Sequence, residues 1–326
     1  MKKLELTQIS KYRTELMGIA AIAILLCHAG ANHVALGPLL PLFGLAQFGN
    51  ALFFMLSGYG LFFSLHKLTF TPFGVLLWYK RRLLRIFIPY LIWCIPFFVY
   101  QCVVFPDTNW FEWFYVFSLL SYWDGSGGVA WFLSVLIALY FISPFIYKSL
   151  LSRGNVLINA AIIAIIVCVF YFLKPTNVTF RLICSNMPNL LAFTLGMTLG
   201  YFTTLNKAVN FWWFVLGGSM AIALFFIRHH EAHMLHLGTC MMVLPVLVWL
   251  LNCTRRGHAS LRWVGKISLE SYLTNGALPR IVALIPWGAA AWLNTGNYLG
   301  YSIVIVAGLF LAWVMHIMAE PIIKKL

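Results

Sequence analysis

The sequence predicts an all-α integral membrane protein with about ten transmembrane helices and both termini in the cytoplasm. Hydrophobic residues make up 62% of the chain and charged residues 9%, and the mean hydropathy is +0.88. These values lie far outside the usage of soluble domains. Segments such as 156 to 173 and 301 to 319 are long and apolar enough to cross a hydrocarbon core ~30 Å thick.

The apolar runs define the order of the spans. They are expected near residues 15–36, 43–65, 86–105, 129–148, 156–173, 186–204, 209–227, 234–252, 267–286 and 299–319. With a cytoplasmic N-terminus, 18 of the 22 lysines and arginines lie on the inside. The exceptions are Lys174, Arg181, Arg228 and Arg280. This distribution is the one that the positive-inside rule requires.

One aromatic stretch, residues 109 to 123, leaves an alternative open. Were it an eleventh span, every later loop would change sides, and the charges would divide 13 inside against 9 outside. We therefore predict an interfacial or re-entrant segment, which suits its Trp and Tyr content.

Composition also limits the classes of site. The net charge of +14 lies mainly in short loops on one predicted side, so topology explains it and no nucleic-acid partner is expected. The seven cysteines form no CxxC pair and fall mainly in apolar segments, which indicates neither a disulfide framework nor a metal site. No internal repeat or long linker divides the chain, so residues 1–326 are predicted to form a single membrane domain.

A few polar residues are expected within or at the edge of the hydrocarbon. They are Glu15, His28, Ser57, Glu270, Asn275, His316 and Glu320. Intramembrane ionisable groups usually face the bundle interior and mark a pathway or a site. For His28 we favour function over a structural role, and for His316 the two are balanced. Ser57, in ALFFMLSGYGLFF, is more typical of close helix packing, although its hydroxyl is also suited to bind a substrate or a histidine.

A basic cluster lies just before the third span, in the stretch WYKRRLLRIFIPY from residue 78 to residue 90. It holds Lys80, Arg81, Arg82 and Arg85. Arg82 and Arg85 are three residues apart, so they project from one helix face and are spaced to clamp a polyanion such as a phosphorylated cofactor. The alternative is that these charges set topology and contact anionic lipid headgroups.

The order of several short motifs resembles the acyltransferase 3 family of multi-span membrane proteins. They are MGIAAIAILLCH, FFMLSGYG, RRLLRIFIPY, WFLSVLIALYFISP, GKISLESYL and a final EP, and together they cover nearly the whole chain. Members of that family move acyl groups, usually acetyl, from cytoplasmic acyl-CoA to hydroxyls of extracytoplasmic glycans. The resemblance therefore implies a membrane O-acyltransferase that uses acetyl-CoA or another acyl-CoA and no metal.

The resemblance also implies roles for particular residues. It assigns His28, Arg13, Ser57 and Glu320 to catalysis, with Arg13 standing in for a family arginine that is absent at Met17. Lys80, Arg81, Arg82 and Arg85 are expected to bind the acyl-CoA. We assign Trp131, Tyr140, Glu270 and Asn275 to substrate binding. The chain departs from the family pattern at Met17, at Leu136 and Ile137 in place of a glutamate pair, and at Asn275 in place of a histidine.

The sequence thus predicts an O-acyltransferase of the bacterial inner membrane, more specifically an O-acetyltransferase. Its expected partners are a surface glycan or lipid-linked oligosaccharide and anionic membrane lipids. In this hypothesis neutral His28 takes the proton of the acceptor hydroxyl, and Ser57 orients His28 or the acyl carbonyl. The main alternative is a transporter of a glycan, lipid or amino acid without acyl-transfer chemistry. A structural membrane partner is a weaker one.

Overall fold

The fold is an almost entirely helical bundle. The computed structural model describes residues 3–31, 40–104, 107, 109–127, 130–152, 155–228, 232–254, 256–283 and 298–325. Its helices are α1 Leu6–Lys11, α2 Arg13–Ala31, α3 Leu40–Leu45, α4 Phe48–His66, α5 Pro72–Val104, α6 Trp110–Phe117, α7 Trp131–Leu151, α8 Val156–Phe172, α9 Val178–Ser185, α10 Met187–Thr204, α11 Phe211–Arg228, α12 Ala232–Cys253, α13 His258–Lys266, α14 Ser268–Ala283 and α15 Tyr298–Lys325. Two short strands, β1 Lys3–Glu5 and β2 Ala208–Asn210, pair antiparallel.

A helix occupies each of the ten predicted spans. Within the described ranges, seven helical segments are long and apolar enough to cross a membrane: Phe43–His66, Pro72–Val104, Trp131–Leu151, Val178–Thr204, Phe211–Arg228, Ala232–Cys253 and Tyr298–Lys325. Val156–Phe172 is apolar but shorter. The multi-pass, all-α class is therefore confirmed, whereas the count of ten spans and the side of each terminus stay predictions. The expected ends of the first and ninth spans, at residues 36 and 286, lie outside the described residues.

The third span differs most from its predicted bounds. Helix α5 begins at Pro72, fourteen residues before the expected start at residue 86. The basic cluster therefore lies in the first part of a 33-residue helix that continues into the span, which agrees with the expected shared helix face of Arg82 and Arg85. Long Lys and Arg side chains allow this, because their heads reach water while their stems cover apolar surface.

The aromatic stretch before α7 contains only a short helix. Helix α6, Trp110–Phe117, has eight residues and a length of ~12 Å at ~1.5 Å per residue, too short to cross a bilayer. Asn109 caps it by accepting a hydrogen bond from the backbone N–H of Phe111. Among the described residues 109–123 the structure thus contains no helix long enough for an eleventh span, as the charge distribution predicted.

Several predicted inside loops lie together at one end of the bundle, which we call the basic end. Strand β1 pairs with β2, so Lys3 lies opposite Asn210. The Tyr12 hydroxyl donates to Asn252 Oδ1 at 3.2 Å, and the ammonium of Lys148 lies 4.8 Å from the centre of the Phe70 ring. The first two contacts join the N-terminus to the segment after α10 and to the end of α12, and the third joins the end of α7 to the segment after α4.

The core of the bundle is the contact between α4 and α10. An added Cβ at Gly58 would lie 2.0 Å from the Phe193 carbonyl oxygen, and one at Gly196 would lie 1.9 Å from the Met55 carbonyl oxygen. Only glycine allows the two backbones to approach so closely, which is the usual role of small residues between membrane helices. This contact fixes the position of α4, on which the candidate site is built.

Candidate active site

His28 lies in a small cavity between α2, α4 and α14. The cavity has a volume of ≈ 10 Å³, about enough for one water molecule. It is lined by Ala21, Ile24, Leu25, His28, Phe53, Ser268, Ser271, Tyr272 and Asn275. Residues 21, 24, 25 and 28 share one face of α2, and residues 268, 271, 272 and 275 share one face of α14. We call this space the histidine cavity.

Asn275 contributes an unusual polar group to the histidine cavity. Its Nδ2 donates to the Ser271 carbonyl oxygen at 3.0 Å and lies 3.3 Å from the Ser271 hydroxyl. Its Oδ1 is buried and has no hydrogen-bond partner among the described residues. Because a buried amide oxygen without a partner is costly, it is a candidate acceptor for a bound hydroxyl. Gly308 of α15 leaves room for this amide, since a Cβ there would lie 2.3 Å from Oδ1.

A second, larger cavity lies at the basic end, between the end of α4 and the start of α5. It has a volume of ≈ 450 Å³ and is lined by Ser64, Lys67, Leu68, Thr69, Gly74, Leu77, Trp78, Arg81, Arg82 and Arg85. Its four cationic side chains include three of the four predicted acyl-CoA ligands. Lys80, the fourth, is exposed and does not line the cavity. We call this space the arginine cavity; its charge and size suit a phosphorylated ligand.

Arg13 and Ser57 belong to the surroundings of the arginine cavity. Arg13 Nε donates to the Leu56 carbonyl oxygen at 3.2 Å, and its guanidinium covers Gly60. Ser57 is hydrogen-bonded to Tyr140 of α7, and Tyr140 also lies within electrostatic range of Arg13, Arg82 and Arg85. The structure thus gathers three arginines from two helices around one half-buried tyrosine.

The same geometry bears on the expectation that Ser57 orients either His28 or the acyl carbonyl. Gly49 packs against Ala20 and Ile24, and α2 and α4 are antiparallel. From this contact Ser57 is eight residues along α4 in one direction, and His28 is at least four residues along α2 in the other. The Cα atoms of Ser57 and His28 are therefore offset by ~18 Å along the helix pair, at ~1.5 Å per residue. Ser57 is not placed to orient His28.

Glu270 pairs with His316 on the side of α14 that faces α15. Glu270 is buried, and its Oε1 lies 2.9 Å from His316 Nδ1. Glu320, one turn further along α15, is exposed and pairs with Lys324 at 2.8 Å. Neither carboxylate lines the histidine cavity. The structure therefore gives Glu270 a partner that the sequence did not identify, and it places Glu320 at the surface of the basic end.

Trp131 lies beside two histidines that the sequence reasoning did not select. Its ring centre is 5.5 Å from that of His233, which is 6.0 Å from His236. Nδ1 of each histidine is buried and has no hydrogen-bond partner in the described part of the chain. The neighbouring residue of α7, Phe132, donates its backbone N–H to the Tyr272 hydroxyl of the histidine cavity. The histidine spacing of three in HMLH was the available signal, because it places both rings on one face of α12.

The long apolar helices of the described ranges define a multi-pass integral membrane protein. No group of three His, Cys, Asp or Glu side chains in the described ranges is arranged to hold a metal ion. The family model described as an acyltransferase domain, that of the acyltransferase 3 family, matches residues 16–317. The chain belongs to this family and is a multi-pass membrane acyltransferase. No curated protein and no solved structure matches it.

Proposed function

We propose that the protein is an O-acetyltransferase of the bacterial cytoplasmic (inner) membrane. It transfers an acyl group from cytoplasmic acyl-CoA to a hydroxyl of an extracytoplasmic or lipid-linked polysaccharide. The observation that carries this proposal is the division of the site into two parts. A cationic cavity opens at the basic end, and a histidine cavity lies deeper in the same bundle.

The donor is held at the basic end. Arg82 and Arg85 bind phosphate groups of the acyl-CoA, with Arg81 and Lys67 completing the cationic wall. His28 lies fifteen residues beyond Arg13 on α2, which corresponds to ~22 Å. The long arm that carries the thioester spans this separation, so the phosphates stay in the arginine cavity while the acyl carbonyl approaches His28.

The acceptor enters from the opposite end. Trp131 offers an aromatic face to a sugar ring, and the unpartnered Asn275 Oδ1 accepts a hydrogen bond from the reacting hydroxyl. His28 removes the hydroxyl proton as the oxygen attacks the thioester carbonyl. The new C–O bond forms, the C–S bond breaks, and the thiolate of CoA leaves and takes a proton. Neutral histidine is suited to this role because its ordinary pKa is ~6.5.

The proposal is tested by asking whether surface glycans carry acetyl esters that depend on this protein, and whether those acetyl groups come from acetyl-CoA. The gene is deleted from its host, and surface glycans are compared by mass spectrometry before and after complementation. Isolated membranes are also supplied with acetyl-CoA labelled in the acetyl group. Loss of acetyl esters on deletion and transfer of the label to glycan support the proposal. Unchanged glycans in both assays contradict it, and solute uptake that needs no acyl-CoA would establish the transporter alternative.

A further inference from the structure

A large apolar crevice opens on the side of the bundle and shares no lining residue with the two cavities described above. It has a volume of ≈ 710 Å³, within the range of ~300–1,000 Å³ typical of small-molecule sites. Leu157 of α8 lines one wall and Phe214 of α11 lines the other. Its floor is formed by Leu195 and Leu199 of α10 and reaches Met55 in the bundle core. We call it the lateral crevice.

Two lysines mark one end of the lateral crevice. Lys3 belongs to β1, and Lys207 immediately precedes β2, so the small sheet holds both at the same end. The Leu6 N–H also donates to the Lys207 carbonyl oxygen at 3.4 Å, which fixes this loop to the N-terminus. None of the residues that line the crevice is acidic. Glu5 is on the same strand face as Lys3 but does not line the crevice.

The position of the crevice relative to the bilayer follows from its aromatic residues. Trp213 lines it, and both Trp212 and Trp213 are about two-thirds exposed, at 68% and 66%, at the start of α11. Exposed tryptophans at a helix end mark the headgroup level of a membrane protein. The lysine end of the crevice is therefore at the headgroup level, and its apolar floor lies beside the acyl chains.

We propose that the lateral crevice is a binding site for an anionic phospholipid. Its phosphate contacts Lys3 and Lys207, and one acyl chain lies on Leu195 and Leu199. A phospholipid fits both parts of the crevice. Its acyl chain would cover the apolar floor, and its phosphate would pair with the two lysines, which have no acidic partner among the residues that line the crevice. The proposal does not depend on the acyl-transfer reaction.

The test uses a photoactivatable phosphatidylglycerol with a diazirine in its acyl chain. The full-length protein is placed in phosphatidylcholine nanodiscs with a trace of the probe, and the labelled peptides are mapped. We expect labelling concentrated on α10, near Leu195 and Leu199. Each single Lys→Gln change should reduce labelling about 5-fold, and the Lys3→Gln, Lys207→Gln double change should reduce it about 30-fold. The reason is that each lysine near a membrane surface contributes about 1 kcal/mol to the binding of an anionic lipid, which corresponds to about 5-fold in affinity.

Two further variants separate the site from general lipid contact. Lys11→Gln removes an exposed lysine of the same end that does not line the crevice and should leave labelling unchanged. Ala208→Trp fills the exposed edge of the crevice without touching the core and should abolish labelling of α10. Equal labelling of the exposed faces of α8, α11 and α15, insensitive to the lysine pair, would overturn the proposal. Full displacement of the probe by inorganic phosphate at equal concentration would also overturn it, because it would show a phosphate site without a lipid site.

Discussion

His28 of α2 and Asn275 of α14 line the same cavity, although the sequence separates them by most of the chain. The resemblance to the family predicts a histidine at position 275, whereas this chain has Asn275, so the second polar group of this site is an amide. An amide cannot take up a proton at neutral pH, but its oxygen can accept a hydrogen bond. In the proposed reaction His28 is therefore the base, and Asn275 orients the hydroxyl.

Replacing Asn275 with Ala should weaken acceptor use without affecting the donor. Loss of one hydrogen bond costs about 0.5–1.5 kcal/mol, which corresponds to roughly a 2- to 13-fold fall in kcat/KM for the acceptor. Acyl-CoA affinity should stay unchanged because the arginine cavity is remote. Gly276→Ala is the matched control, since an added Cβ there meets nothing within 4 Å. An equal loss in the control would indicate a general effect on α14.

Only some residues of the basic cluster should bind acyl-CoA. Arg82→Gln and Arg85→Gln should each weaken acyl-CoA binding by ~1.5–3 kcal/mol, the range for hydrogen bonds to charged groups. Lys80→Gln should have little effect, because Lys80 does not line the arginine cavity. Calorimetry on purified protein measures both. Equal losses for all three variants would favour a diffuse electrostatic effect, and no loss at all would favour the lipid-headgroup alternative.

The Glu270–His316 pair should contribute to folding. His316→Ala leaves a buried carboxylate without its partner, and removing one member of a buried pair typically costs about 3–5 kcal/mol. His316 retains 28% side-chain exposure, so the lower end of this range is expected. The double change Glu270→Gln, His316→Gln should be less destabilising than His316→Ala alone. The measurement is the midpoint temperature of thermal unfolding of each variant in detergent. Glu320→Gln changes an exposed carboxylate and is the control, so it should leave this midpoint unchanged.

The contact between α4 and α10 should tolerate no side chain at Gly58. A Cβ there would lie 2.0 Å from the Phe193 carbonyl oxygen, so Gly58→Ala must push the two backbones apart. Overpacking of this kind costs typically about 1–3 kcal/mol and more where backbone is displaced. The measurement is the fraction of folded protein extracted from membranes, compared with Gly276→Ala. Normal folding of both variants would show that α4 and α10 are not closely packed.

The sequence predicted the helices well because hydrophobic length and charge asymmetry are local signals. It placed the start of the third span at residue 86, because the charges of Lys80 and Arg82 interrupt the apolar run, whereas α5 already begins at Pro72. It left open whether Ser57 orients His28 or the acyl carbonyl, because the sequence shows that Ser57 and His28 lie in apolar segments but not the register of α2 against α4. That register depends on Gly49 packing against Ala20, a contact between segments that no periodicity connects. The Glu270–His316 pair was missed for the same reason.

His28 is proposed above to act as the base in acyl transfer. A positioned base contributes about 10²- to 10⁴-fold in rate, so His28→Ala should abolish detectable acylation of the glycan. His28→Gln separates proton uptake from hydrogen bonding, because glutamine keeps a hydrogen-bonding side chain but cannot take up a proton. The measurement is mass spectrometry of surface glycans at matched membrane abundance of wild type and variant. We expect the glycan of cells with His28→Gln to lack the acyl group, while the variant protein still binds acyl-CoA. Full acylation of the glycan by this variant would show that His28 is only a structural hydrogen-bonding residue.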